Sequence, residues 1–362
     1  MPLDHYVTLG RSGLRVSPLC LGAMTFGEDW GWGSSVTESQ SILDAFLARG
    51  GNFIDTANAY TKGHSEKIIG DHVGRHASKR DRVVIATKFL SNLFRGDPNG
   101  GGASRKAIVQ QCEHSLRRLQ THYIDLYWMH AYDATTPIDE TMRALDDLVR
   151  DGKVRYVGFS DTPAWKCTEA QMLARAHGWA PLVALQIEYS LLERTVEADL
   201  IPMALEMGMG VTPWSPLKGG VLSGKYTRAN QPPPGRGTWV ANHLKERAFV
   251  LVDALIAIGK QVHATPAQVA MNWVQNRQGV GGRGSTIFGA RTIEQLRDNL
   301  GALSIHLLPE HIATLDELSK PILPFPHEFL SYTFDNVQGG ATVNGRPSKA
   351  WNLAPQSDKE RW

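Results

Sequence analysis

The sequence between residues 51 and 130 contains the segments GNFIDTANAY (51–60), VVIATK (83–88) and YIDLYWMH (123–130). Each segment includes a short run of β-branched or aromatic residues, which is typical of a buried strand. The runs are followed by polar residues: Asp55 and Tyr60, Lys88, and His130. The spacing between segments fits one strand and one helix each. If consecutive parallel strands carry these residues, all four side chains project from the same end of one sheet.

Strand-like segments recur along the chain and alternate with segments of helical periodicity. Strands are predicted near 19–22, 52–54, 83–87, 123–129, 154–159, 183–187, 209–213 and 285–288. Helices are predicted near 36–49, 65–76, 104–119, 138–150, 163–177, 194–207, 246–261, 266–277, 292–301 and 309–319. This α/β alternation predicts a parallel sheet. Eight strands favour a closed (β/α)8 barrel, a TIM barrel, over an open doubly wound sheet.

Further segments add to this barrel. Residues 6–16 alternate around a glycine-bearing turn and predict an N-terminal β-hairpin that plugs the bottom of the barrel. Two helices exceed one per strand: one of the pair at 246–277, and the one at 309–319. Long loops at 89–103 and 217–245 lie on the strand-exit side, where long loops are usually functional.

No break in composition divides residues 1–320, so we predict one barrel domain there. Residues 321–362 are rich in proline, glycine and asparagine. We expect this C-terminal extension to pack on or near the active-site face.

The composition is that of an ordinary soluble protein, with 42% hydrophobic and 20% charged residues. The formal net charge of +2 argues against a nucleic-acid partner. Three widely spaced cysteines (Cys20, Cys112 and Cys167) without a C-x-x-C pair fit the reducing cytoplasm. The N-terminus does not resemble a signal peptide, and no apolar run reaches about 18 residues, so no membrane association is expected.

The four strand-exit residues suit proton donation to an oxygen that gains negative charge. A free tyrosine has a pKa of about 10, and a nearby lysine ammonium lowers it. A carboxylate would keep the lysine charged and oriented, while a histidine serves as hydrogen-bond donor or proton carrier. Carbonyl reduction is such a reaction. Each residue alone has an ordinary structural explanation, but their joint occurrence at three successive strand exits favours catalysis.

These residues belong to a series of motifs that resembles the aldo-keto reductase family over residues 6–320. The motifs lie at 52–60, 63–66 with Gly70, 86–88, 125–130, 158–161, 186–190, 214–217 and 289–291 with Gln295 and Asn299. The resemblance implies a (β/α)8 barrel and NADPH-dependent reduction of an aldehyde or ketone to an alcohol, a reversible reaction. It implies that Tyr60 is the general acid, that Lys88 and Asp55 tune it, and that His130 orients the carbonyl.

Two glycine-containing segments are candidates for a nucleotide site. GVGGRG (279–284) matches G-x-G-x-x-G, but it follows a predicted helix and precedes a strand, so we interpret it as a helix-to-strand loop. The segment after strand eight is the better phosphate site, because Arg291 lies at a helix N-terminus. The resemblance places the adenosine 2′-phosphate at Arg291, with Gln295 and Asn299 facing the adenosine.

The resemblance also assigns the other NADP(H) contacts. Trp214 offers a flat face for the nicotinamide ring, and Ser160, Asp161 and Gln186 match positions that grip its carboxamide. Asp161 departs from the asparagine that is common in the family, and a carboxylate can accept the carboxamide N–H but cannot donate. Gly219, Gly220 and Lys225 resemble a pyrophosphate strap. The remaining expected contacts are Gly22, Met24, Ser215, Leu217 and Gly289.

Trp30 and Trp32 are predicted to line the pocket for a small carbonyl or alcohol substrate, and no metal site is expected. Two other functions remain open. One is a nucleotide-binding regulatory or redox-sensing subunit with little turnover, resembling potassium-channel β subunits, which would retain the four chemical residues. The other is a barrel hydrolase, which needs two carboxylates across the scissile bond. Asp55 would supply one of them and Asp161 is the candidate for the second.

Overall fold

Eight parallel strands form the central sheet, and a short hairpin precedes them. The structure is a computed structural model that describes residues 2–230, 240–330 and 332–361. The hairpin strands are β1 (Val7–Thr8) and β2 (Arg15–Val16). The sheet strands are β3 (Leu19–Gly22), β4 (Phe53–Asp55), β5 (Val84–Phe89), β6 (Ile124–Met129), β7 (Val154–Ser160), β8 (Leu182–Glu188), β9 (Gly210–Trp214) and β10 (Thr286–Gly289).

The sheet curls into a nearly closed barrel with helices between its strands. Its hydrogen-bonded order is β10-β3-β4-β5-β6-β7-β8-β9, and every pair in that order is parallel. The last strand, β9, packs against β10, although no ladder of hydrogen bonds joins these two described strands. The predicted (β/α)8 TIM barrel is therefore confirmed.

The described α-helices between residues 36 and 318 follow the predicted alternation of strands and helices closely. They are Val36–Leu47, His64–Ile69, Ala77–Arg80, Arg105–Leu119, Ile138–Arg150, Ala164–His177, Leu200–Met207, Glu246–Gln261, Pro266–Gln275, Ile293–Leu300 and Pro309–Leu318. Ser104 is an N-cap, because its side chain accepts a hydrogen bond from the Ala107 N–H. Pro266 occupies the first turn of its helix behind a capping box formed by Thr265 and Gln268.

The helix predicted at 194–207 is wrong in its first half. The chain forms a 3-10 turn at Thr195–Glu197, and the α-helix begins only at Leu200. Pro202 provides a physical reason, because a proline ring clashes with the carbonyl of the residue four positions earlier and lacks an N–H. The helix predicted at 65–76 likewise ends as an α-helix at Ile69 and continues as a π turn over Gly70–Gly74.

The hairpin plugs the end of the barrel where the strands begin. Leu9 and Val16 are fully buried and pack in one cluster with residues inside the barrel, among them Phe53 and Trp128. The backbone N–H of Gly10 donates to the carbonyl of Arg283, at 2.9 Å. The glycine-rich segment 279–284 therefore contacts the hairpin, at the end of the barrel opposite the strand exits, where a phosphate loop would have no access to the predicted site.

Apolar side chains fill two layers of the barrel. One cluster lies between strands and helices, and the other fills the interior of the barrel itself. Gly158 on β7 makes room for the inner cluster, since a Cβ there would stand 2.4 Å from the Trp128 ring. All three cysteines are free and buried.

No single helix among the described residues is long and apolar enough to cross a membrane. The consecutive helices Glu246–Gln261 and Pro266–Gln275 reach that length and composition only as a pair, and the pair is bent by 95°.

Contacts divide the chain into Met1–Lys320 and Pro321–Trp362. The second unit contains short helices at His327–Leu330 and Thr333–Gln338 and a two-stranded ribbon of Thr342–Val343 with Arg346–Pro347. Part of the predicted long loop at 217–245, including the proline-rich segment at 232–235, lies outside the described residues.

Candidate active site

The four predicted chemical residues meet at the strand-exit end of the barrel. Asp55 is the last residue of β4, and Lys88 is the penultimate residue of β5. His130 follows β6 directly, and its backbone N–H donates to the carbonyl of Phe89, at 3.2 Å. Tyr60 begins the 3-10 turn Tyr60–Gly63, one short loop beyond β4. Parallel register aligns these exits, which is why residues far apart in sequence converge here.

Lys88 is the centre of the hydrogen-bonded group. Its side chain is fully buried, and Nζ donates to an Asp55 carboxylate oxygen in an ion pair. Nζ also donates to the Thr56 carbonyl at 2.9 Å and lies 3.2 Å from the Tyr60 hydroxyl. Burial is the largest single effect and would lower the pKa of Lys88, but the charges and hydrogen bonds of Asp55 and Tyr60 together outweigh it, so the pKa lies above its ordinary value. Lys88 is therefore a fixed cation.

Gln186 extends this group in a way that the sequence did not indicate. Its side-chain amide donates to the second carboxylate oxygen of Asp55, at 3.0 Å. Both oxygens of Asp55 are thus engaged, one by Lys88 and one by Gln186. The buried chain from Gln186 through Asp55 to Lys88 fixes the ammonium against Tyr60, and it leaves Asp55 poorly suited to act as a hydrolytic acid or base.

The pKa of Tyr60 departs from the expectation of a lowered value. Burial raises the pKa of Tyr60 above its ordinary value, and the Lys88 charge offsets only part of that rise. The negative charges of Asp55 and Asp161 raise it further. The expected effect of the lysine is present, but desolvation outweighs it. The hydroxyl consequently keeps its proton at neutral pH, which is the state that a general acid requires.

Backbone strain in the turn that carries Tyr60 is a feature that sequence reasoning missed. Thr61 and Lys62 both adopt left-handed conformations, with φ of 47° and 61°. Residues with a Cβ rarely adopt that conformation, so threonine and lysine give no signal for it. The Thr61 hydroxyl stabilises the turn by donating to the Phe26 carbonyl at 2.8 Å and accepting from the Ser65 N–H at 3.0 Å.

His130 borders the tyrosine as a neutral ring. Its imidazole lies edge-on to the Tyr60 ring, with 5.8 Å between centroids. Burial, with a smaller contribution from the Lys88 charge, lowers the pKa of His130 to about 3. A neutral imidazole can donate one hydrogen bond through its N–H, but it does not release that proton near pH 7. The structure thus favours the role of hydrogen-bond donor over that of proton carrier.

Trp30 and Trp32 form an aromatic wall beside Tyr60. Trp30 lies edge-on to Tyr60 at 6.4 Å between centroids, and Trp32 packs against Trp30 at 5.4 Å. Their loop is fastened to the turn that carries Tyr60, because His64 Nδ1 lies 2.7 Å from an Asp29 carboxylate oxygen. The predicted substrate-pocket tryptophans therefore lie beside the predicted acid.

The predicted carboxamide contacts lie at the ends of β7 and β8, with Trp214 at the end of β9. The Trp214 indole N–H donates to the Asp161 carboxylate at 3.1 Å. Ser160 is buried, and its hydroxyl makes no hydrogen bond of ordinary geometry with the described residues. Its contact with the Asp161 carboxyl is too poorly aligned for an ordinary hydrogen bond, so Ser160 retains capacity to pair with a bound polar group.

The predicted site for the 2′-phosphate contains Arg291, which lies just before the helix Ile293–Leu300. Thr292 caps the helix Ile293–Leu300, and the Arg291 N–H donates to the Gln295 side chain at 2.9 Å. The half-buried Arg291 guanidinium forms no hydrogen bond or ion pair with the described part of the chain. Asn299 is buried, and its amide donates to the Gly289 carbonyl at 3.1 Å, so it supports the end of β10.

The segment predicted to form the pyrophosphate strap follows β9. Ser215 has a left-handed backbone, and its hydroxyl accepts from the Gly219 N–H at 3.2 Å. Gly219 and Gly220 are left-handed as well, with φ of 63° and 100°, which explains the glycines at these positions. Leu217 precedes the 3-10 turn Lys218–Ser223, and Lys225 is exposed beyond it.

Lys218 in this turn is a further charged residue that sequence reasoning missed. Its ammonium forms an ion pair with Glu188 at 2.6 Å, joining the exits of β8 and β9. The other predicted cofactor contacts lie at the ends of the paired strands β3 and β10. Gly22 pairs with Gly289 there, and Met24, two residues beyond β3, is exposed.

Comparisons with known proteins agree with this geometry. A sequence model described as the Aldo/keto reductase family matches residues 18–320. An uncharacterized oxidoreductase of Bacillus subtilis, YrpG, is 39% identical, over 87% of this chain and 95% of its own length. A norsolorinic acid reductase of Aspergillus flavus is 34% identical, over 97% of this chain and 89% of its own. An aryl-alcohol dehydrogenase of Phanerodontia chrysosporium, named with NADP(+), is 35% identical, over 87% and 86%.

Proposed function

This chain belongs to the aldo/keto reductase family, and we propose from that premise that it reduces an aromatic aldehyde or ketone with NADPH and Tyr60 as the general acid. The family membership makes it an oxidoreductase. The identity of the cofactor, the proton donor and the substrate class are the parts that we propose.

The observation that carries this proposal is the contact between Lys88 and Tyr60. A phenol alone is a poor acid at neutral pH, because the phenolate that remains after proton transfer is unstable. Here a buried ammonium lies 3.2 Å from the phenol oxygen, where it stabilises that phenolate as it forms. Asp55 and Gln186 hold the ammonium in place, so little reorganisation is needed during the reaction.

In the proposed mechanism, the substrate oxygen accepts hydrogen bonds from the Tyr60 hydroxyl and the His130 imidazole. NADPH, when bound, supplies the hydride that reaches the carbonyl carbon. The Tyr60 proton moves to the substrate oxygen, and the phenolate left behind is stabilised by Lys88. In the reverse direction the phenolate accepts the proton of the alcohol.

The residues at the barrel mouth fit this cofactor. The buried Ser160 hydroxyl and the Gln186 amide would face the carboxamide, and Trp214 would pack on the ring. Arg291 would hold the 2′-phosphate, since its guanidinium has no other partner among the described residues and arginine pairs well with phosphate. We expect Gln295 at the adenosine and the glycine turn near Lys225 at the pyrophosphate.

The aromatic substrate class rests on Trp30 and Trp32. Their rings lie beside the reacting hydroxyl and offer an apolar wall against which an aryl group can pack. One relative is named for aryl alcohols and another for norsolorinic acid, which accords with this proposal.

The experiment that tests this function also separates it from a nucleotide-binding regulatory subunit. The purified full chain is titrated with NADPH, and NADPH consumption is then followed with panels of aromatic and aliphatic carbonyl compounds. Steady turnover that is fastest with aromatic aldehydes supports the proposal. Tight NADPH binding with negligible turnover on every carbonyl would favour the regulatory subunit, and no NADPH binding would contradict both.

A further inference from the structure

Asp161 is a charged group at the barrel mouth to which the mechanism assigns no step. It follows Ser160 at the end of β7 and has a left-handed backbone, with φ of 40°. Its N–H donates to the Gln186 carbonyl at 3.1 Å, and its carboxylate accepts from the Trp214 indole N–H at 3.1 Å. The side chain is thus held in one place by two neighbouring strands, yet it remains exposed to the mouth.

Asp161 also contributes a net negative charge. The other charged groups on nearby strand exits are paired: Asp55 with Lys88, and Glu188 with Lys218. His130 is neutral near pH 7. Among the described residues, Asp161 has no ion-pair partner. Its charge is close enough to the reaction centre to raise the pKa of Tyr60, and the Lys88 charge acts on Asp161 in turn.

The geometry of hydride transfer brings a nicotinamide ring close to this charge. A carbonyl oxygen bound at the Tyr60 hydroxyl would lie near the rings of Trp30 and His130, both of which are edge-on to the Tyr60 ring. Hydride transfer needs the ring within roughly 3.5 Å of the carbonyl carbon. Ser160 and Trp214 end β7 and β9 at the same mouth, and the Asp161 charge beside them acts on Tyr60. A ring that packs on Trp214 would lie next to the carboxylate to which Trp214 is hydrogen-bonded.

We propose that the Asp161 carboxylate stabilises positive charge on the nicotinamide, so that the site binds NADP+ more tightly relative to NADPH than an amide at this position would. The reduced ring is neutral and the oxidised ring is a cation, so a nearby anion discriminates between them. The same charge favours hydride donation, because the ring becomes positive as the hydride leaves for the carbonyl carbon. This inference rests on the proposed NADP(H)-dependent function.

Protonation of Asp161 should remove the effect. Desolvation by the surrounding protein atoms raises the pKa of this carboxyl to about 6, against the lowering effects of the contacts with the Trp214 N–H and the Ser160 hydroxyl. Below that pH the group is neutral, and above it the group is an anion. Glu188 adds to the rise and Lys88 opposes it, while Tyr60 and Lys88 keep their protons through this pH range.

The test uses Asp161→Asn, which removes the charge while retaining the hydrogen bond from Trp214. Asparagine also tolerates the left-handed backbone. Dissociation constants of NADP+ and NADPH are measured by calorimetry for both proteins at about pH 5 and about pH 8. Both nucleotides contain the carboxamide and the 2′-phosphate. A change in binding at either group therefore cancels in the ratio of the two dissociation constants. Asp4→Asn, at an exposed acid preceding the hairpin, is the matched control.

At about pH 8, we expect Asp161→Asn to raise the ratio of the NADP+ dissociation constant to the NADPH dissociation constant about tenfold. This change corresponds to about 1.4 kcal/mol. The wild-type ratio should fall as the pH rises, and the variant ratio should stay constant. Equal ratios in wild type and variant at both pH values, with both nucleotides bound, would overturn this inference alone. Failure of the wild type to bind either nucleotide would instead overturn the proposed function.

Discussion

The fully buried ammonium of Lys88 lies 3.2 Å from the hydroxyl oxygen of Tyr60, whose half-buried side chain stands at the barrel mouth. The contact joins a permanent cation to a phenol whose pKa is raised by burial. Before reaction the tyrosine is protonated, and during reaction the cation stabilises the charge that develops on it.

The first prediction concerns the pH dependence of reduction. Reduction requires protonated Tyr60, and its raised pKa keeps the proton on the phenol beyond pH of about 10. The measured quantity is kcat/KM for an aldehyde at saturating NADPH. Because the pKa of His130 is about 3, protonation of this imidazole should not lower the rate until the pH approaches that value. On the basic side it should remain high through neutral pH and fall only in the strongly alkaline range. A loss of rate as the pH rises, with a midpoint near pH 7, would contradict this assignment of Tyr60, whereas a partial loss as the pH falls through about 6 is expected from protonation of Asp161.

The second prediction concerns the buried ion pair. Lys88→Met should remove reductase activity and destabilise the fold by about 3–5 kcal/mol, because Asp55 would remain buried without its cation. Urea unfolding measures the loss. The control is the double variant Asp55→Asn with Lys88→Met, which buries no charge and should recover much of the stability but no activity. A single variant as stable as wild type would argue against the pair.

The third prediction concerns the 2′-phosphate. Arg291→Ala should weaken NADPH binding about ten- to a hundredfold, as expected for loss of a charged hydrogen bond, and leave NADH binding nearly unchanged. Fluorescence titration with both nucleotides measures this. Arg297→Ala removes an exposed arginine from the same helix and should affect neither nucleotide. Equal weakening of NADPH and NADH would remove Arg291 from this role.

The fourth prediction concerns the aromatic wall. Trp30→Ala should lower kcat/KM for benzaldehyde about tenfold, because aromatic contacts contribute up to about 1.5 kcal/mol. An aliphatic aldehyde of similar size should lose much less. Trp165→Ala, at an exposed tryptophan on the helix Ala164–His177, is the matched control. An equal loss for both aldehydes would show that Trp30 supports the loop rather than the aryl group.

The barrel and the convergence of the four residues could be predicted because they depend on local patterns. Short β-branched runs predict strands, and the exits of consecutive parallel strands must meet. The N-cap at Ser104, the first-turn position of Pro266 and the interpretation of 279–284 as a helix-to-strand loop also follow from local sequence.

Other features depend on contacts between distant segments, and no local pattern reports them. Thr61 and Lys62 adopt a conformation that their residue types disfavour, and the fold stabilises it through Phe26. The ion pair of Lys218 with Glu188 joins residues 30 positions apart in sequence. The raised pKa of Tyr60 is the balance of burial against the Lys88 charge, and burial is known only from the packed structure.

The most direct test of the central claim is the reduction of an aromatic aldehyde by Tyr60→Phe. This variant removes one oxygen atom and retains the ring that packs against Trp30 and His130. We predict that kcat falls by at least about a hundredfold, the range attributed to general acid catalysis, while the dissociation constant of NADPH stays within about twofold of wild type. An unchanged kcat with unchanged NADPH binding would show that Tyr60 does not supply the proton.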